Sequence, residues 1–120
     1  MSWQTIRLEL APTPEFPGGS AGRAYLVRLP LDGNSAVDRA ALQAHPARAT
    51  VRRFWPCEPD RRGKVVPAND GWAFQFGGVC GCDSCPRMAA TCFCIGEIVT
   101  VTEADGMRLP FRVANLRLLG

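Results

Sequence analysis

Hydrophobic and polar positions alternate with a period of two along much of the chain, which predicts strands. In residues 5–10, Ile6, Leu8 and Leu10 fall on one face while Arg7 and Glu9 fall on the other. Prolines and glycines then break the pattern, so residues 11–22 read as a long loop. Residues 23–29 (RAYLVRL) are apolar on both faces, as a more central strand is. Further strands read at 49–55, at 64–66 and at 72–76, where Trp72, Phe74 and Phe76 form an aromatic inner face. Residues 97–102 are β-branched, Met107, Leu109, Phe111 and Val113 share a face, and Leu116 with Leu118 suggest a last short strand. Asn69-Asp70-Gly71 and Asp105-Gly106 supply turn chemistry.

One helix is expected, with Ser35 as N-cap, Asp38 in a capping-box-like position and residues 39–44 as the body. His45-Pro46 ends it, because the residue before a proline is pushed out of the α region. About seven short strands punctuated by Gly and Pro, with one short helix, predict a mostly β fold: a small antiparallel barrel or sandwich. At 120 residues the chain has room for one core, so residues 1–120 read as a single β-rich domain with a Cys-rich loop at 77–96.

Composition adds little to that picture: 47% hydrophobic and 21% charged residues are globular values, and the net charge of +3 is too small to mark a nucleic-acid binder. Of the fourteen basic residues only Lys64 is lysine, which fits the codon bias of a GC-rich genome. With no signal-peptide h-region and no long apolar run, a cytoplasmic chain without a membrane span is expected.

Five of the six cysteines lie between Cys80 and Cys94, and that clustering changes the picture. Thiols kept reduced and crowded together favour a soft metal over disulfides. Cys82 and Cys85 form a C-x-x-C knuckle, Cys92 and Cys94 offer a second pair, and Cys80 is a reserve ligand; together they suggest a structural zinc-thiolate site. The second pair is C-x-C and only six residues separate the pairs, so no standard zinc class is matched. Two alternatives stay open: a redox dithiol at Cys82 and Cys85, and inert thiols filling a strand.

A second candidate is the basic, aromatic stretch around residues 48–64. Arg52, Arg53, Phe54, Trp55, Arg61 and Arg62 could stack on bases and meet phosphates, as small barrels that bind single strands do. Arg7, Arg108, Arg112 and Arg117 could extend it as a stripe, diluted by Glu9, Glu97 and Glu103. No nucleophile, general base or phosphate loop assembles around the single histidine, His45, so a non-catalytic protein is expected.

Two segments carry a resemblance. Residues 48–56 (RATVRRFWP) with 58–61 (EPDR), and residues 96–113 from Gly96-Glu97 through Val101-Thr102-Glu103 and Asp105-Gly106 to Leu109-Pro110-Phe111-Arg112-Val113, resemble a group of small bacterial proteins to which no activity is attached. Residues 3–10 and 25–31 fit the same group, and together these cover about two-thirds of the chain. The resemblance implies a single β-rich cytoplasmic domain and carries over no functional residue. The functional expectation is therefore a non-catalytic binding barrel with a zinc-pinned loop. A nucleic-acid-associated barrel and a plain protein-interaction module are the alternatives.

Overall fold

The computed structural model describes residues 1–68, 71–76, 85–89 and 92–118. These build a closed antiparallel barrel whose eight strands follow chain order. They are β1 (Ser2–Leu10), β2 (Ser20–Leu31), β3 (Thr50–Phe54), β4 (Arg61–Ala68), β5 (Gly71–Phe76), β6 (Arg87–Met88), β7 (Ile98–Thr102) and β8 (Arg108–Leu118). β1 closes the barrel by pairing on both sides, with Ile6 opposite Val27 of β2 and Leu8 opposite Val113 of β8. Closure removes the free sheet edges that would otherwise template aggregation. Among the described residues, no helix is long and apolar enough to cross a membrane.

The period of two translates directly into burial. Ile6, Leu8 and Leu10 point inward, as do Val27 and Leu29 of β2 and Trp72 and Phe74 of β5. The interior is filled by these chains with Tyr25, Val51, Met88, Phe111 and Val113, so the barrel is a packed core and not a tube.

Several boundaries differ from expectation, each for a local reason. The strand that raises the number to eight, β6, is two residues long and too short to show a period. β2 starts at Ser20, inside the stretch expected to be loop, and β4 starts at Arg61 and runs through Gly63. The segments 107–113 and 116–118 belong to one strand, β8. A register shift sets Arg7 opposite Asn115 but Leu8 opposite Val113, so Ala114 is skipped and the alternation changes phase there. Met107 precedes β8 and is exposed, off the face it was expected to share.

The helix α1 (Arg39–Ala44) has Asp38 as its N-cap, whose Oδ1 accepts from the Ala41 amide at 3.0 Å. Ser35 does not cap it. It sits at φ 61° in a turn that Asp32 organises by accepting from the amides of Asn34 and Ala36. Asp38 caps in place of Ser35 because its carboxylate is three residues nearer the first helical turn and also meets the positive end of the helix.

Connections in an antiparallel barrel alternate between its two ends. Residues 11–19, 55–60 and 103–107, with Phe76 at the end of β5 and Pro86 before β6, lie at one end, which we call the mouth. α1 and residues 92–97 sit at the other end, where Leu42 and Phe93 enter the core. Gly63 lets β4 and β5 close up between them. A Cβ at Gly63 would lie 1.9 Å from the Gln75 carbonyl oxygen, which is backbone and cannot swing away. Gly63→Ala is expected to cost about 2 kcal/mol or more through forced strand separation, read as a drop in thermal midpoint, while alanine at Gly33, which has open space, should leave the midpoint within a degree or two.

Candidate functional site

The mouth holds a cleft of about 950 Å³. Its walls are the three turns just described, with Phe76 and Pro86 at the two ends of the β5–β6 connection. Because the barrel below is filled, the cleft is shallow and its floor is made of core side chains.

Tyr25 lies beneath that floor. It lies on the inward face of β2, fully buried, with ring centroids 5.1 Å from Phe74, 5.2 Å from Phe111 and 6.4 Å from Trp55. A phenol hydroxyl buried there needs a partner. Tyr25 Oη donates to Glu103 Oε2 at 2.5 Å. The other carboxylate oxygen of Glu103 faces Arg53 Nη2 at 3.5 Å, and Arg53 Nη1 lies 3.6 Å from Glu58. Glu103 is placed by its own backbone, since its amide donates to the Met107 carbonyl and its carbonyl accepts from the Gly106 amide. The β7–β8 turn and the buried carboxylate are thus one device.

This network shifts both titrating ends upward. Burial raises Tyr25 well above its ordinary value of 10.0, and the charge and hydrogen bond of Glu103 add to it, against a smaller opposing pull from Arg53. Burial works against the Arg53 charge, but Tyr25, Glu103 and Glu58 outweigh it, so Arg53 is held more firmly protonated.

Above the network, guanidiniums and rings interleave. Arg53 lies 3.9 Å from the Trp55 ring centroid, and Arg23 lies 4.1 Å from Phe16 and 5.9 Å from Trp55. Arg61 and Arg108 stand exposed on the rim, and no ion pair engages either among the described residues. Among the described residues, four Arg (Arg23, Arg53, Arg61, Arg108) face four acids (Glu15, Glu58, Glu103, Asp105), so their formal charges sum to zero. The acids are the more committed set. Glu58 and Glu103 hold Arg53, and Asp105 accepts from the Met107 amide inside its own turn.

The basic, aromatic segment expected from sequence is divided between two faces. β3 and β4 pair with Arg52 opposite Arg62 and Arg53 opposite Arg61. Arg53, Trp55 and Arg61 belong to the cleft, whereas Arg52, Phe54 and Arg62 lie on the outside of the barrel. The terminal strands do pair, but Glu9 takes both Arg7 at 2.7 Å and Arg112 at 4.0 Å, so that stripe is compensated as anticipated. Glu103 dilutes nothing outside, because it points inward to Tyr25.

Of the thiols, Cys80 and Cys82 lie outside the described residues. Cys85 is buried beside Pro86 at the mouth side of β6. Cys92 and Cys94 are exposed and flank the buried Phe93; Cys92 bridges to Ala36 near the helix end. Cys85 is therefore separated by β6 from the other two, and among the described residues no three His, Cys, Asp or Glu side chains are grouped to hold a metal. Cys57, at φ 63° in the β3–β4 turn, is exposed.

Sequence reasoning passed over Tyr25, Arg23 and Phe16, and it assigned Arg108 and Glu103 to an outer stripe when both line the cleft. One signal was available: the chain's sole tyrosine sits in an inward register, and its polar tip had to be answered by some other inward polar group. No protein-family model, curated protein or solved structure matches the chain.

Because Tyr25 is the sole tyrosine, tyrosinate absorbance reports it alone. The folded chain should show no tyrosinate as pH passes 10, while urea-unfolded chain titrates near about 10. The raised folded value makes this contribution to stability complete below about pH 10 and progressively lost above it. Tyr25→Phe should abolish that alkaline loss and cost about 1–3 kcal/mol at neutral pH, because Glu103 loses its donor.

Thiol mapping checks the cysteines. Cys57, Cys92 and Cys94 should be alkylated in the native chain and Cys85 only on unfolding, as their exposure dictates. Protection of Cys92 and Cys94 that a chelator reverses would instead assign them to a bound metal.

Proposed function

We propose that this chain is a non-catalytic binding barrel whose mouth cleft takes a small organic anion, a carboxylate or phosphate ester carried on a flat apolar body. One observation carries the reading: guanidinium groups without carboxylate partners surround an aromatic floor in a pocket of small-molecule size. Among the described residues, Arg61 and Arg108 are engaged by no ion pair, and Arg23 has only rings and the Ser20 hydroxyl as partners. Planar forks of this kind suit bidentate contact with carboxylate or phosphate.

The same geometry argues against an organic cation. Phe16 and Trp55 already lie against guanidiniums of the chain itself, so a cationic ligand would have to displace Arg23 or Arg53 before it met a ring face. It also argues for binding without turnover. The titrating core of the site is a fully buried tyrosine locked to a carboxylate, which holds Arg53 in place and does not reach a ligand. Because the cleft is formally neutral, affinity rests on short-range contacts and should change little with salt.

Trp55 provides the readout. Phenyl phosphate or benzoate is expected to quench Trp55 fluorescence saturably, and phenyltrimethylammonium is not. Charge-assisted hydrogen bonds are worth roughly 1.5–3 kcal/mol, so Arg61→Ala and Arg108→Ala should each weaken the anion about tenfold or more. A preference for the cation, or anion affinity indifferent to both substitutions, would overturn the reading.

A further inference from the structure

A second surface, independent of the cleft, breaks a rule of sheet construction. Like charges directly opposite one another on neighbouring antiparallel strands repel, and sheets normally avoid them. Here β3 and β4 carry such a pair on both faces, Arg53 opposite Arg61 within the cleft and Arg52 opposite Arg62 outside it. The inner pair is offset by Glu58 and Glu103. Among the described residues the outer pair has only Asp60, 3.5 Å from Arg52, with both side chains nearly half exposed. Such an ion pair is worth little in water.

The neighbouring registers enlarge the outer charge. Lys64 is exposed beside Thr50 on one side and Gln75 on the other, and Arg28 is exposed on the adjoining strand β2. Arg87 of β6, next to Ala73, continues the face. From β2 to β5 the outward strand positions therefore contribute four cations, Arg28, Arg52, Arg62 and Lys64, and no acid among the described residues. Arg52 shows the same imbalance at the level of one atom: its guanidinium lies 4.9 Å from the Phe54 ring centroid, and its Nε is buried with no hydrogen-bond partner.

We propose that the outer face of β2–β6 binds single-stranded nucleic acid through its phosphates. Charge complementarity sets the class of partner. A membrane is disfavoured because the large apolar side chains that are exposed, such as Ile95, Ile98 and Leu118, all lie off this face, leaving nothing on it to enter a bilayer. A duplex is disfavoured because the face is the convex outside of a closed barrel. A stiff duplex would touch it along one line, whereas a flexible strand can follow the curve and reach all four of Arg28, Arg52, Arg62 and Lys64. Phe54, beside Arg52, is the ring available for a base.

Fluorescence anisotropy with labelled oligouridylate, on the full chain at rising salt, tests this. About four phosphate contacts give a slope of log affinity against log salt near −3, which is roughly a 50-fold loss between 50 and 200 mM. Arg52→Gln with Arg62→Gln should weaken binding and roughly halve the slope, and the corresponding double Lys variant should restore both. The thermal midpoint of the Gln variant is expected to hold or rise, since opposed charges are removed. Equal affinity for a duplex of the same length, binding to phosphatidylserine vesicles but not to oligouridylate, or no binding at low salt would each overturn the proposal. So would a loss caused by Arg108→Ala in place of the outer variants, which would return the anion to the cleft and leave that reading standing alone.

Discussion

The hydrogen bond from Tyr25 to Glu103 organises the mouth of the barrel. A phenol hydroxyl in a filled core cannot be left unpaired, because desolvation without a partner costs more than the bond returns. Answering it with a carboxylate creates a buried negative charge, and Arg53 answers that in turn. Arg53 then lies against Trp55, Trp55 packs on Tyr25 and Phe111, and the floor of the cleft is set. Each step is forced by the one before it. The rim arginines are outside this chain of obligations, which is why they are free for something else.

Barrel closure distributes these groups. With every strand antiparallel to the next, connections alternate between two ends, so residues distant in sequence converge: Phe16, Trp55 and Glu103 meet at the mouth although nearly ninety positions separate the outer two. The same alternation parts residues that are close in sequence. Cys85 and Cys92 are seven positions apart, yet β6 lies between them, and each faces the neighbourhood of a different end. A ligand-spacing argument treats the intervening chain as a loop free to fold back; a paired strand removes that freedom.

Much of the fold was legible because burial in a β-barrel has the period of the backbone itself. Ile6, Leu8 and Leu10 are unambiguous, and so are Trp72 and Phe74. Legibility ended where a local device overrode the period. The bulge opposite Arg7 and Leu8 changed the phase of β8 and made one strand look like two. Asp38 displaced Ser35 as cap through position and charge, both of which a propensity ranking treats as nearly equal. Of the candidate site, the segment 48–64 was identified but not its division, since parity says which residues share a face and not which face is inside.

That division is the reason the two anion-binding surfaces proposed above can share one hairpin without being one site. Successive residues of a strand point to opposite sides, so the run Arg52-Arg53 followed by Arg61-Arg62 places one pair in each environment. Inside, the low exposure of Arg53 makes its charge expensive, and Glu58 of the adjoining turn and Glu103 of the β7–β8 turn balance it. Outside, water screens the repulsion, and the pair persists nearly uncompensated. The two pairs thus differ in what an incoming anion would gain. In the cleft, the proposed ligand would meet Arg61 and Arg108 beside a balanced Arg53 and would be selected by shape. On the outer face it meets an unbalanced field, where the gain scales with the number of phosphates neutralised. Recognition by shape suits a small ligand and recognition by summed charge suits a polymer, which is why the two proposals assign different partners to the two faces of one hairpin.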